Sequence, residues 1–148
     1  DGGRIVRLDR EMTLHDAALT RFGQWWRRQA RSGHAYAETV WRHRAVPDPH
    51  RLRRLASLVF WGGLWPLACL GFAWPSGGAS LLGLLAFAWP FRSAYRDARP
   101  RWSARVSARW AAACVVGKLA ELQGALTFAA NLLRRRATPL IEYKGPSR

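Results

Sequence analysis

Apolar and polar positions change their rhythm along this chain, and each change marks an element. Residues 4–8, Arg-Ile-Val-Arg-Leu, carry β-branched residues at their centre and predict a short strand after the Gly2-Gly3 turn. Glu11-Met12-Thr13-Leu14 predicts a second strand or an extended connector. Two such strands make no stable sheet alone, so they are expected to be the last strands of a larger sheet. From Thr20 the rhythm becomes helical, with Thr20 as the expected N-cap. Phe22, Trp25, Trp26, Ala30 and Ala37 form an apolar stripe, while Gln24, Arg27, Arg28 and Arg31 gather on another side. Gly33 is expected to end or bend this helix, and Pro47-Asp48-Pro49 to break it.

After a basic collar at His50–Arg54, no charged residue occurs across residues 55–91, a run of 37. A membrane-spanning helix needs roughly 20 apolar residues. Residues 55–74 supply one such arm. Pro75-Ser76-Gly77-Gly78 supplies a turn, and residues 79–91, extended to Tyr95 with Arg92 snorkelling, supply the returning arm. Pro66 is expected to kink the first arm. Trp61, Trp65, Trp74, Trp89 and Tyr95 include candidates for an interfacial aromatic belt. Arg92, Arg96, Arg99, Arg101, Arg105 and Arg109 follow, so both flanks of this hairpin are Arg-rich and its turn is neutral. The positive-inside rule then places both flanks in the cytosol and the turn outside. A third apolar helix, residues 110–133, carries Lys118 and Glu121, three apart and able to pair. A full crossing would deliver Arg134-Arg135-Arg136 to the wrong side. A helix in the cytosolic interface or packed on the hairpin is therefore expected, with a third span as the alternative.

Charge sharpens this picture. The formal net charge is +15, almost all of it from Arg, with Lys only at 118 and 144. Such charge suits nucleic acid or an anionic membrane. Here the basic residues bracket an apolar block, which favours the membrane and argues against nucleic acid. Cys69 and Cys114 lie in apolar stretches and predict no disulfide framework. The chain opens on Asp, with no leader pattern, and a preceding portion is expected.

No Gly-rich phosphate loop, CxxC pair or HExxH is present, and no Ser has a clear His and Asp partner set. Three groups remain. His15-Asp16 follows the expected strands, where His15 can ligate a metal or lie on the surface. Gln24-Trp25-Trp26-Arg27-Arg28 sets an amide beside guanidinium donors able to hold a diphosphate, with Trp25 free to stack on a sugar or settle at the bilayer surface. Its plainer reading is an amphipathic helix on lipid head groups. His34 and Glu38, four apart, can share a proton or a metal, but one such pair is thin evidence and a surface helix pair is the favoured reading.

Together, Leu8-Asp9, Met12, His15-Asp16, Thr20-Arg21, QWWRR at 24–28, GHAYAE at 33–38, GKLAELQG at 117–124 and Leu140-Ile141-Glu142-Tyr143-Lys144 resemble the C-terminal part of membrane-anchored bacterial family 2 glycosyltransferases. The resemblance implies a GT-A α/β domain, a nucleotide-sugar donor, and Mg²⁺ or Mn²⁺ held through a DxD motif. It also implies a carboxylate base acting on a lipid-linked or glycan acceptor. The DxD and the base are expected upstream, so this portion alone is expected to be inactive. Processive members carry QxxRW near donor and acceptor. Here Gln24 and Arg27 match, but Arg28 replaces the final Trp. Gln24, Trp25, Arg27 and Arg28 become substrate or diphosphate ligands under this resemblance, and His15 a metal ligand.

The expected architecture is mainly α and membrane-bound. Residues 1–19 are a β remnant of the GT-A domain, and 20–54 an amphipathic interfacial region. Residues 55–95 are the transmembrane hairpin, 96–136 a basic linker with an amphipathic or third membrane helix, and 137–148 an exposed tail. The expected location is a bacterial inner membrane, with the N-terminal part and tail cytosolic. The competing expectation is a non-catalytic membrane anchor or assembly protein binding anionic lipid.

Overall fold

The computed structural model describes residues 20–45 and 48–134. Those residues are mainly helical, with no strand among them. The expected β remnant at 1–19, His15 and the tail from 137 lie outside the described residues.

Helix α1 is Phe22–Arg42. Its N-cap is Arg21, one residue beyond the expected Thr20. The cap is set by Gln24, whose Oε1 accepts from the Arg21 backbone N–H at 3.2 Å. A glutamine at the third helical position reaching back in this way satisfies a donor at the helix start. Gly33 neither ends nor bends α1, which runs nine residues beyond it; its reason lies in packing, given below. Asp48 caps α2, Pro49–Val59, accepting from the His50 N–H at 2.9 Å, and Pro49 occupies the first turn, where no N–H is missed.

Helix α2 passes through a π-helical turn, Phe60–Leu64, into α3, Trp65–Gly71. Pro66 lacks the N–H that would bond Gly62, and its ring presses on that carbonyl; the chain widens by one residue just before it instead of breaking. The Trp65 N–H accordingly reaches back five residues to Phe60 O. The turn over residues 72–78 carries Gly77 and Gly78 at positive φ, as the Pro-Ser-Gly-Gly sequence predicts. A 3₁₀ segment, Ala79–Phe87, then leads into α4, Ala88–Ala98.

The two arms pack as a hairpin. The Trp65 indole N–H donates to Gly83 O at 2.9 Å, Ser80 Oγ donates to Cys69 O at 2.6 Å, and the Trp61 and Phe87 rings lie 5.4 Å apart. The 3₁₀ form lets a shorter arm keep pace with a longer one. Residues 55–71 rise about 25 Å as helix. Residues 79–91, four fewer, rise about 24 Å because a 3₁₀ residue advances about 2.0 Å.

Helix α5, Ala104–Leu133, begins six residues before the expected third helix. It runs beside α1 in the same direction: Trp25 lies over Gly117, Ala30 against Gly124, and His34 edge-on to Phe128. The crossing is close enough that a Cβ on Gly33 would meet the Glu121 backbone, and one on Gly124 the backbone of Ala30 and His34. Gly62 likewise meets the Lys118 backbone. Small residues thus let backbone approach backbone at both faces of α5. Helix α5 packs on α1, α4, the π turn and α2. It leaves the outer end of the hairpin bare, where Leu64, Leu67, Leu70, Phe72, Trp74, Leu82 and Leu85 are all more than half exposed.

Two helical stretches, Pro49–Gly71 and Ala104–Leu133, are long and apolar enough to cross a membrane.

Candidate functional site

Polar side chains converge where α1, α2, α4 and α5 meet. Their centre is Glu121, an acid on an otherwise apolar stretch of α5 and only 6 % exposed. Its Oε2 lies 3.5 Å from Lys118 Nζ and its Oε1 3.9 Å from an Arg54 terminal nitrogen. The expected Lys118–Glu121 pair is therefore present, and sequence spacing missed its third member, Arg54, which arrives from α2. Arg54 also lies over the Tyr36 ring at 4.5 Å, so one guanidinium ties α1, α2 and α5 together. Buried charge is tolerated when so paired. The pairing is incomplete: Glu121 Oε2 is fully buried and accepts no hydrogen bond. An unsatisfied buried acceptor costs about 1–3 kcal/mol.

Beside this acid lies a cavity of about 620 Å³, within the range typical of small-molecule sites. Four indoles line it, Trp25, Trp61, Trp89 and Trp110, together with the polar groups of Gln29, Ser57, Ser93 and Asp97 and the Arg54–Lys118–Glu121 cluster. Gly117 forms part of its wall, with Trp25 and Gln29 in ordinary contact above it. Trp89 and Trp110 are largely exposed, whereas Trp25 and Trp61 are half-buried. The cavity sits at the base of the hairpin, level with the Arg collars and away from the bare apolar end.

Of the described residues expected to bind substrate, Trp25 alone lines this cavity, joined by Trp61 and Trp89 of the expected belt and by the expected Lys118–Glu121 pair. Gln24 is half-buried and engaged in capping α1. Arg27 and Arg28 are exposed and line no part of it. The neighbouring Trp26 indole N–H donates to Gln123 Oε1 at 2.7 Å, pinning α1 to α5. His34 Nδ1 lies 3.9 Å from Glu38, whose carboxylate pairs more closely with Arg42 at 2.7 Å, giving a helix-surface pair. Cys69 is buried, Cys114 half-buried, and both are free thiols, as their apolar settings predict. No group of three or more His, Cys, Asp or Glu side chains comes together among the described residues, so they build no site for a divalent metal.

The chief residues that sequence reading missed are Arg54, Trp89, Asp97 and Trp110. Arg54 and Trp89 were legible only as part of a collar and a belt, and Asp97 and Trp110 carried no functional signal, because nothing local says that α2 and α4 meet α5 around one acid. The signal available was Glu121 itself, an acid inside an apolar helix with two small residues, Gly117 and Gly124, nearby. No family model, curated protein or solved structure matches this chain.

Proposed function

We propose that this chain is the C-terminal, membrane-anchoring portion of a bacterial glycosyltransferase, which transfers a sugar from a nucleotide-sugar to an acceptor held at the inner membrane. The membrane half of this reading is carried by one observation. An uncharged hairpin projects its bare Leu, Phe and Trp side chains away from the helices packed at its base. Such an apolar surface is costly in water and favourable in lipid. The transferase half rests on the resemblance of residues 8–38, with the metal-binding DxD and the base supplied by sequence upstream.

In this reading the hairpin enters the bilayer with its neutral turn on the far side, while α1 and α5 lie at its base in the cytosolic interface. The exposed Arg27 and Arg28 support that placement for α1. A helix lying alongside α5 carries them outward, where hydrocarbon would oppose each by about 2.5–3.5 kcal/mol. Anchoring raises the effective concentration of a membrane-held acceptor near the catalytic domain. The cationic face of α1 is suited to a departing diphosphate.

A non-catalytic anchor is the second reading, favoured by the same outward Arg27 and Arg28, which suit anionic head groups. One experiment separates the two. Arg27→Ala in the full-length protein should lower sugar transfer in anionic vesicles by at least tenfold while vesicle binding changes little. Unchanged transfer with weakened vesicle binding would favour the anchor.

A further inference from the structure

We infer that the cavity at the base of the hairpin binds the sugar ring of a neutral glycoside carrying an apolar tail. Three features converge on that ligand class. The first is charge balance. Arg54 and Lys118 oppose Glu121 and Asp97, so the lining presents two cations and two carboxylates. A cationic head group would meet Arg54 and Lys118, an anionic one Glu121 and Asp97, whereas a neutral ligand meets no net opposition. The second is hydrogen-bonding capacity. Ser57, Ser93 and Gln29 both donate and accept, the carboxylates only accept, and the cations only donate. A ring bearing several hydroxyls can answer all of them. Glu121 adds a specific demand, since its buried Oε2, 3.5 Å from the Lys118 ammonium, accepts no hydrogen bond, and a ligand O–H entering beside Lys118 would supply one. The third is shape. Four indoles offer broad faces whose negative π clouds suit the weakly positive C–H faces of a pyranose.

Position completes the case. The cavity is level with the Arg collars, and from its Trp61 wall the exposed Phe60 and Leu64 lead outward toward the bare end of the hairpin. A ligand whose ring sits among the tryptophans can therefore lay its tail along that surface, as a glycolipid would. This names the acceptor class of the transferase reading and rests on it only for the word acceptor; the binding itself is tested without turnover.

The test uses the chain in phosphatidylcholine nanodiscs, titrated with octyl β-glucopyranoside below its micellar concentration and followed by tryptophan fluorescence. Octanol and octylphosphocholine form parallel arms. The expected result is a saturable change with the glucoside, absent with octanol and with octylphosphocholine. Ala113→Trp fills the cavity from its wall while leaving every charged side chain in the sequence, and should abolish the response with helical circular dichroism preserved. Glu121→Gln keeps the shape, removes the charged acceptor, and should weaken binding about tenfold. An equal response to octanol would reduce the site to tail partitioning and overturn the proposal. So would saturable binding of octylphosphocholine with none of the glucoside, or an Ala113→Trp protein that folds and still binds. Failure here leaves the transferase reading standing, and failure of sugar transfer leaves this binding result intact.

Discussion

Helices α1 and α5 touch backbone to backbone, and alanine substitution at three glycines tests this contact by sign. In a helix interior, Gly→Ala ordinarily stabilises by about 0.8–1 kcal/mol. Gly117→Ala should show that gain, because its Cβ would meet Trp25 and Gln29 side chains at 3.7 and 3.8 Å, ordinary contact distances. Gly33→Ala and Gly124→Ala should show the reverse. There the new Cβ overlaps the Glu121 backbone or the Ala30 and His34 backbone, which no rotamer change can relieve. Overpacking costs about 1–3 kcal/mol where side chains can adjust, and the upper end applies where whole helices must part. Set against a propensity gain of about 1 kcal/mol, each substitution should destabilise by about 2 kcal/mol, a factor of roughly 30 in the folded ratio. Parting the helices also strains the Trp26–Gln123 hydrogen bond, which should raise rather than lower the loss. The assay is loss of far-ultraviolet helical signal as SDS is titrated into mixed micelles, with Gly117→Ala and wild type alongside. If Gly33→Ala or Gly124→Ala came out more stable than wild type by the same margin as Gly117→Ala, the close crossing would be refuted.

Two further expectations follow from single hydrogen bonds. Trp65→Phe keeps the ring but removes the indole donor to Gly83 O, and should cost about 1 kcal/mol in the same titration. Asp48→Ala removes both the α2 N-cap and the Arg51 ion pair at 3.1 Å, and should cost about 1–2 kcal/mol, whereas Asp48→Asn should recover most of it.

How much of this was legible in the sequence depends on how local the cause is. The hairpin was legible because its signal is a long absence of charge followed by Pro-Ser-Gly-Gly, and both act on the chain where they stand. The Lys118–Glu121 pair was legible because helical spacing alone brings residues three apart together. Gly33 was misread because glycine's local meaning, a weak helix former, competes with a distant one, room for another backbone. Only the register of α1 on α5 shows which applies. The cap was displaced from Thr20 to Arg21 because Gln24 at the third helical position satisfies the orphan donor, which outweighs the usual preference for a hydroxyl. Pro66 was expected to kink its arm, and the helix absorbs it as a π turn at the glycine pair facing α5. The cavity was illegible because its residues come from four helices, and only packing shows that Arg54 of the first collar and Asp97 beyond the hairpin come to one acid on α5.

The packing also bears on whether α5 crosses the bilayer, since its length alone permits it: 30 residues rise about 45 Å against a hydrocarbon core of about 30 Å. Charge and neighbours oppose a crossing. The half of α5 beyond Gly117 is flanked by α1, whose Arg27 and Arg28 face outward, and the 13 residues before it, rising about 20 Å, are too short to span. An interfacial α5 keeps its exposed Val116, Leu119 and Leu126 about 5–10 Å below the head groups, while Leu67 on the bare hairpin lies deeper. Nitroxide labels at Leu67→Cys and Leu119→Cys, in a chain with Cys69 and Cys114 replaced by Ala, measure this directly through their relative exposure to oxygen and to a water-soluble nickel chelate. The expected outcome is a label at 119 markedly shallower than the label at 67. Since Leu119 stands at the middle of α5, a transmembrane α5 would carry it to the bilayer centre, so equal depths at the two sites would make α5 a third span.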